Sequence, residues 1–400
     1  MTEFAEALRQ GPPAPEPTKA KRETLGKIAD LLERSGIDVE DVGRIQKVNL
    51  YQGFYKDDEG QAQTVDLSGI SLSPKWADGP EWPVVQQAAP TIVKPPKRTR
   101  QTPALVRQWK TTVCMGDTQF GFRLLDPVNG ELDPFHDEAA IDVALQITAA
   151  IDHDVGGLHA LVHLGDFVDL PAQSRYTQEA AFALTTQPAI DRGHRYLAQC
   201  RAAAPDAKQV LLEGNHDRRM QTFITNNALA AFGIKRANMP DSWPVMSLPH
   251  VLRLDELDVE YIDAWPGGEY WINENMRAIH GHKIRSGGST ANAIVRDNPA
   301  ISTIMGHGHR LEAHYRTVHS KAGPIRSAAI MAGCLCRVDG AVPSFNGSTG
   351  VDGRPATVWE DWQQGLVVVH HTDDRQHVTM HQIVDGEAVV HGQVFQASAS

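Results

Sequence analysis

A chain of 400 residues is long enough to bury a sizeable core and, on length alone, to hold two or three domains. Hydrophobic residues make up 41% and charged ones 22%, ordinary for a globular protein, and no run approaches the roughly 18 apolar residues of a membrane helix. The net charge of −11 is uneven: residues 1–110 hold 16 Lys and Arg against 15 Asp and Glu, leaving 22 against 34 for residues 111–400, a balance of −12 that argues against a surface built to grip phosphate backbones.

The N-terminus, MTEFAEALRQGPPAPEP, has neither a basic start nor an apolar core, so no signal peptide is expected and the location expected is cytoplasmic, without a membrane partner. Residues 1–18 are rich in Pro, Ala and Glu and read as a disordered tail. Leu25, Ile28, Leu31 and Leu32 recur at helical spacing over 19–35, and a short helix is expected over 41–45. KVNLYQGFYK and QTVDLSGISL flank Asp57-Asp58-Glu59-Gly60 and read as a β-hairpin. Residues 19–71 thus form a small helix plus β-hairpin module: either a winged-helix-like unit that touches DNA or a partner, or a plain structural appendage. Residues 72–109 are a Pro-rich linker whose Lys94, Lys97, Arg98, Arg100 and Arg107 follow one another with no acidic residue between them.

From residue 110 to 395 the grammar changes to strand, loop, helix and strand again, the signature of a layered α/β domain. TTVCMGDTQFG is a strand ending at Asp117 and Gln119. Residues 137–151, DEAAIDVALQITAAI, are a capped helix, and ALVHLGDFVD is a strand ending at Asp166 with Asp169 three residues on. A helix is expected over 178–204, then the strand VLLEGNHD, then a helix over 218–232. MRAIHGHKIRSGG ends a strand at His280 and His282, and STIMGHGHR ends another at His307 and His309. SAAIMAG, LVVVHH, HVTMHQIV and AVVHGQVF, after Ile325, read as strands of a second sheet whose histidines serve the sheet surface or core. Cys114, Cys200, Cys334 and Cys336 lack zinc-finger spacing and are expected as free thiols.

The polar loop residues share one chemistry. Carboxylate, imidazole and amide oxygen suit Mn, Fe, Zn and similar divalent ions, and the set Asp117, Gln119, Asp166, Asn215, His280, His307 and His309 is large enough for two adjacent ions with one bridging carboxylate.

The blocks GDTQ, GDFVD, GNHD, HGH and GHGH, in that order over residues 111–310, resemble the calcineurin-like metallophosphoesterase superfamily. The resemblance implies a four-layer α/β/β/α sandwich with a small N-terminal α+β appendage, and hydrolysis of a phosphoester by a hydroxide bridging two divalent ions, Mn²⁺ foremost, with Fe, Zn, Ni or Mg as alternatives. It places one ion on Asp117, Asp166, His309 and Gln119, and the other on Asp166, Asn215, His280 and His307. His216 becomes the histidine facing the substrate, oriented by Asp169, as the catalytic pair. Gln119 departs from the family's D-x-H, which leaves the first ion looser, held through water, or absent. His282 is the alternative ligand to His280 or a substrate contact, and Arg218 and Arg219 are either phosphate clamps or helix-surface residues.

After Asp169 the chain continues Leu170-Pro171, not the Arg-Gly of the family's protein phosphatases. With the D-x-Q form, associated with viral and bacterial nuclease-like members, and the basic linker, this favours a nuclease or nuclease-like phosphodiesterase acting on DNA or a related diester. The alternatives are a phosphomonoesterase and a non-catalytic scaffold of the same fold.

Overall fold

The computed structural model describes residues 34–36, 42–56, 61–74, 109–126, 130–175, 178–285, 287–343 and 360–398, in two compact units, Met1–Ala89 and Pro90–Ser400. In the first unit β1 (Val42–Lys56) pairs antiparallel with β2 (Ala62–Pro74). The expected hairpin therefore forms and extends beyond its predicted ends. The helix expected over 41–45 does not: residues 42–45 belong to β1, whose register shifts between Val42, Ile45 and Lys47. Branched Val42 and Ile45 suit an irregular strand end better than an isolated helical turn. The tail over 1–18, most of the helix expected over 19–35, the hairpin turn and residues 75–108 of the linker lie outside the described residues.

The second unit carries β3 (Lys110–Met115), β4 (Phe122–Asp126), β5 (Glu131–Pro134), α1 (Glu138–Asp154), β6 (Ala160–His163), α2 (Thr186–Ala203), β7 (Lys208–Leu212), α3 (Arg219–Asn227), β8 (Val259–Ile262), β9 (Glu269–Asn273) and β10 (Met276–Ile279). It continues through α4 (Thr290–Asp297), β11 (Ser302–Met305), β12 (Leu311–Ser320), β13 (Gly323–Ala332), β14 (Gln364–His371), β15 (Gln376–Ile383), β16 (Glu387–Val390) and β17 (Gln393–Gln396). A six-stranded sheet has the order β15-β14-β3-β6-β7-β8 and a five-stranded sheet the order β12-β13-β11-β10-β9. Strands β3, β6, β7 and β8 run parallel, as do β10, β11 and β13.

Period-two alternation decides which face each residue serves. Val113, Met115, Leu161, Leu211, Leu366 and Val368 pack with Ile141, Ile147, Tyr196 and Leu197 of α1 and α2, whereas Cys114, Val162, Leu212, Val367 and Val369 pack with Ile272, Ala278, Ile304 and Ile330 of the other sheet. Both faces of the central strands are dry, which explains their continuous apolar runs. Ala291 and Val295 of α4 pack on Ala329 of the five-stranded sheet.

Two expectations need correction. LVVVHH and HVTMHQIV do not build a second sheet: β14 pairs antiparallel with β3, and β15 with β14, extending the first. Of the tail strands only SAAIMAG, in β13, joins the other sheet, while AVVHGQVF folds into the separate β16–β17 hairpin. The helix expected from 178 begins only at Thr186. Pro188 is the cause, since inside a longer helix its ring would collide with the carbonyl of Leu184 and it has no N–H to donate. Asp137 caps α1 as expected, accepting from Ala139 N at 2.9 Å and Ala140 N at 3.1 Å. Among the described residues no helix is long and apolar enough to cross a membrane.

Leu211 is fully buried between β7 and the helices, whereas Val389 is 59% exposed. Leu211→Ala is expected to cost about 2–5 kcal/mol and Val389→Ala less than about 0.5 kcal/mol, measured by denaturant unfolding.

Candidate metal centre

Loops leaving the carboxyl ends of parallel strands converge where an open α/β sheet places its chemistry. Strand β3 leads to Asp117 and Gln119, β6 to Asp166 and Asp169, β7 to Asn215 and His216, β10 to His280, and β11 to His307 and His309. The backbone there is forced. Asp117, Gln119, Asp166, His307 and His309 take φ values of 53°, 51°, 47°, 64° and 53°, the left-handed region that costs a residue with a Cβ about 1–2 kcal/mol.

Neighbouring loops hold this conformation. Asp117 N donates to Gly165 O at 3.1 Å and Gln119 N to Asp166 O at 3.0 Å. His307 N donates to both Asp117 carboxylate oxygens at 3.0 Å, and His216 N to Asp166 Oδ1 at 2.8 Å. Asp217, to which sequence reasoning assigns no separate role, accepts from the backbone N–H groups of Gly214, Phe167 and Val168 and so staples the GNHD loop to the GDFVD loop. A Cβ on Gly214 would lie 2.1 Å from Asp166 N, so only glycine permits this approach.

The side chains meet in two sets that share one member. Ligand atoms of Asp166, His280 and His307, and those of Asp117, Asp166 and His309, lie within 4.8 Å of one another. His280 Nε2 is 3.3 Å from Asp166 Oδ1 and 3.0 Å from Asn215 Oδ1, and His309 Nε2 is 3.1 Å from Asp117 Oδ1. Gln119 Nε2 lies 3.3 Å from His309 Nε2, while Gln119 Oε1 and His307 Nδ1 are buried without a hydrogen-bond partner. Orphaned acceptors of this kind cost about 1–3 kcal/mol each, and beside two buried carboxylates the partner that suits them is a cation. The two His and Asp sets are thus of a kind that could hold metal, and the unpartnered amide oxygen of Gln119 lies in the same site.

Burial pushes Asp166 up, but His216 and His280 outweigh it and hold the carboxyl well below its usual value. Burial would lower His280 and His309, yet Asp166 raises the first and Asp117 the second, to about 9 in each case. His307 is brought down to about 4, first by burial and then by charge on His280.

Beside the two sets stands a third group. His216 Nδ1 lies 3.1 Å from Asp169 Oδ1, and Arg219, the first residue of α3, donates to the same Asp169 oxygen and lies 3.1 Å from His216 Nε2. Burial raises Asp169, and Arg219 followed by His216 reverses this, leaving it below the ordinary carboxylate range. Asp169 as acceptor fixes the imidazole proton on Nδ1 and leaves Nε2 accepting from Arg219. Arg218 turns away, donating to Glu213 Oε2 at 3.1 Å and Asp263 O at 3.3 Å. His282 is exposed. Trp362 packs edge-on against His309, ring centres 4.1 Å apart, and Cys336 Sγ lies 3.8 Å from His309 Nδ1; no motif announced either neighbour.

No protein-family model matches the chain. It is similar to the gene 54 protein of Mycobacterium phage D29, 31% identical over 165 residues, which are 38% of this chain and 56% of that protein. It is also similar to the gene 54 protein of Mycobacterium phage L5, 25% identical over 246 residues, 59% of this chain and 86% of the other. The chain thus spans little more than half of the D29 protein. Among solved structures, vacuolar protein sorting 29 from Cryptosporidium parvum aligns with 72% of this chain and 98% of its own at 12% identity and a TM-score of 0.30. The SoxB sulfate thiohydrolase of Thermus thermophilus aligns with 68% and 56% at 8% identity and a TM-score of 0.31.

Because a cation must displace protons from His280 and His309, both raised to about 9, metal binding is linked to pH. Calorimetric titration of Mn²⁺ into the metal-free chain near neutral pH, in buffers of different ionisation enthalpy, is expected to show release of about two protons, with affinity rising until roughly pH 9. Affinity independent of pH, with no proton release, contradicts this electrostatic picture.

Proposed function

We propose that the chain is an intracellular, dinuclear metal-dependent phosphoesterase with the four-layer α/β/β/α sandwich of the calcineurin-like metallophosphoesterases, acting on a phosphodiester in the manner of a nuclease. The observation that carries this reading is the convergence of Asp117, Asp166, His280, His307 and His309, sharing Asp166 between two ligand sets, beside the His216–Asp169–Arg219 group. Held there by Asp117, Asp166, His280, His307 and His309, two divalent cations would supply Lewis acidity toward the phosphoryl oxygens and the attacking water. Everything else is done by side chains.

Asp166 is shared by the two ligand sets, Leu164 O at 2.8 Å from His280 Nδ1 orients that imidazole, and Asn215 offers its amide oxygen beside His280 Nε2. His216 Nε2 stands 3.8 Å from Asp166 Oδ2, at the edge of the site, where a leaving oxygen can reach it. Asp169 holds the ring so that Nδ1 keeps its proton. An incoming phosphoryl group offers Arg219 a second anionic acceptor, and His216 Nε2, released from Arg219, takes the proton that the attacking water gives up and passes it to the leaving oxygen.

The diester reading is supported by a basic, aromatic stretch directly after the GNHD loop. Between Arg218 and Arg236 there is no acidic residue, although residues 111–400 carry a balance of −12, and Arg218, Arg219, Lys235 and Arg236 all fall within it. Phe223 and Phe232 are 42% and 54% exposed in the same stretch. Exposed aromatic rings beside Lys and Arg suit unstacked bases and their phosphates.

With Mn²⁺, bis-p-nitrophenyl phosphate is expected to be hydrolysed faster than p-nitrophenyl phosphate, His216→Ala to lose about 10²–10⁴-fold in kcat, and Asp166→Asn to lose all activity. Turnover of the monoester alone would make the chain a phosphomonoesterase, and no turnover with any metal would favour the scaffold reading. Separately, Lys235→Ala with Arg236→Ala is expected to weaken cleavage of single-stranded DNA while sparing the small diester, with a shallower salt dependence. Equal losses on both substrates would remove this stretch from substrate binding.

A further inference from the structure

His309 has two faces. Its Nε2 looks toward Asp117 Oδ1 at 3.1 Å, and its Nδ1 toward Cys336 Sγ at 3.8 Å. Ligand atoms of His309, Cys334 and Cys336 lie within 4.8 Å of one another, and all three residues are buried. Alternation along Cys334-Leu335-Cys336 sends Leu335 into the helix-side core and both thiols the other way, among Phe135, Phe182 and Val342. Backbone bonds fix the segment against the candidate centre: Leu335 N donates to Asp117 O at 3.2 Å, Cys334 N to Gln363 O at 3.0 Å, and Gln363 N to the carbonyl of His309 itself at 2.8 Å. The thiols gain little from ordinary hydrogen bonding. Cys334 Sγ makes the weak contacts typical of a thiol, 3.6 Å to Gln363 O and 3.8 Å to Cys336 O.

Two sulfurs and one imidazole nitrogen, converging in an apolar surround, form a donor set unlike the carboxylate-rich one on the other side of the ring. Zinc takes sulfur at about 2.3 Å and imidazole at about 2.0 Å, giving a sulfur–nitrogen separation of roughly 3.5 Å across a tetrahedron. The 3.8 Å between Cys336 Sγ and His309 Nδ1 is a few tenths of an ångström from that.

We propose that His309 Nδ1, Cys334 and Cys336 form a binding site for a soft divalent cation, zinc or cadmium, and that filling it excludes the harder cation from Asp117. The exclusion follows from the ring. A neutral imidazole has one lone pair, so binding through Nδ1 moves its proton to Nε2, the atom the Asp117 position needs. Both thiol protons pass to water, and no electron is transferred. The fourth position of the soft cation is left to an exogenous ligand. Soft cations thereby act as antagonists of the hard-cation centre through one shared side chain.

The test uses the Mn²⁺-loaded full chain titrated with Cd²⁺, following the thiolate-to-cadmium absorption in the ultraviolet and the free Mn²⁺ signal by electron paramagnetic resonance. The expected result is an absorption band complete at about one equivalent together with release of about one Mn²⁺. Cys334→Ser with Cys336→Ser is expected to abolish both changes while leaving Mn²⁺ content unaltered, and Cys114→Ala to alter neither. A wild-type chain without the band overturns the site whatever the variants do, as does a band that survives the double substitution. A band without Mn²⁺ release overturns the exclusion alone. Only the exclusion rests on reading Asp117 and His309 as ligands of a hard cation, and no readout is turnover, so this proposal and the phosphoesterase reading fail separately.

Discussion

The structure turns on the burial of one carboxylate among groups that can take the place of its lost solvent. Asp166 is 1% exposed, and isolated in such a place it would be protonated or destabilising. Instead His216 N donates to it and the raised imidazole of His280 brings positive charge to it, while His307 and His309 complete the two ligand sets it joins. A carboxylate gathered by histidines in this way is one that could hold a cation. The same attraction that raises His280 and His309 gives a divalent ion its advantage over their protons.

That arrangement explains the strain around it. Each strand must end so that its next residues turn back toward Asp166, and five candidate ligands reach this through left-handed backbone that glycine would adopt more easily. Glycine cannot replace them because the side chain is the purpose of the turn. Glycine is used instead at the neighbouring crossings, Gly214 against Asp166 and Gly306 against Asp117, where a Cβ has no room. The dry sheet-to-sheet core supplies the rigidity that keeps these three strained loops in register.

Much of this was legible in the sequence, for a physical reason. A buried parallel strand is a short apolar run, and a ligand loop at its end is a glycine with polar residues, so GDTQ, GDFVD, GNHD and GHGH mark both the strand ends and the side chains they deliver. What stayed hidden depends on pairing between distant segments. Nothing local to LVVVHH states that it lies beside β3 rather than in another sheet, and Pro188 alone signals that α2 starts late. Arg219 reads as a phosphate clamp or a helix-surface residue until the fold sets it against Asp169, and nothing local to Trp362 or Cys336 states that it comes to His309.

The claim that Asp166 joins two cation positions is tested most directly by counting metal. After equilibrium dialysis against Mn²⁺ and elemental analysis, the account predicts about two ions per wild-type chain and, in Asp166→Asn, loss of both rather than one, with the fold retained by circular dichroism. An Asp166→Asn chain that still binds two ions as tightly as wild type would contradict it.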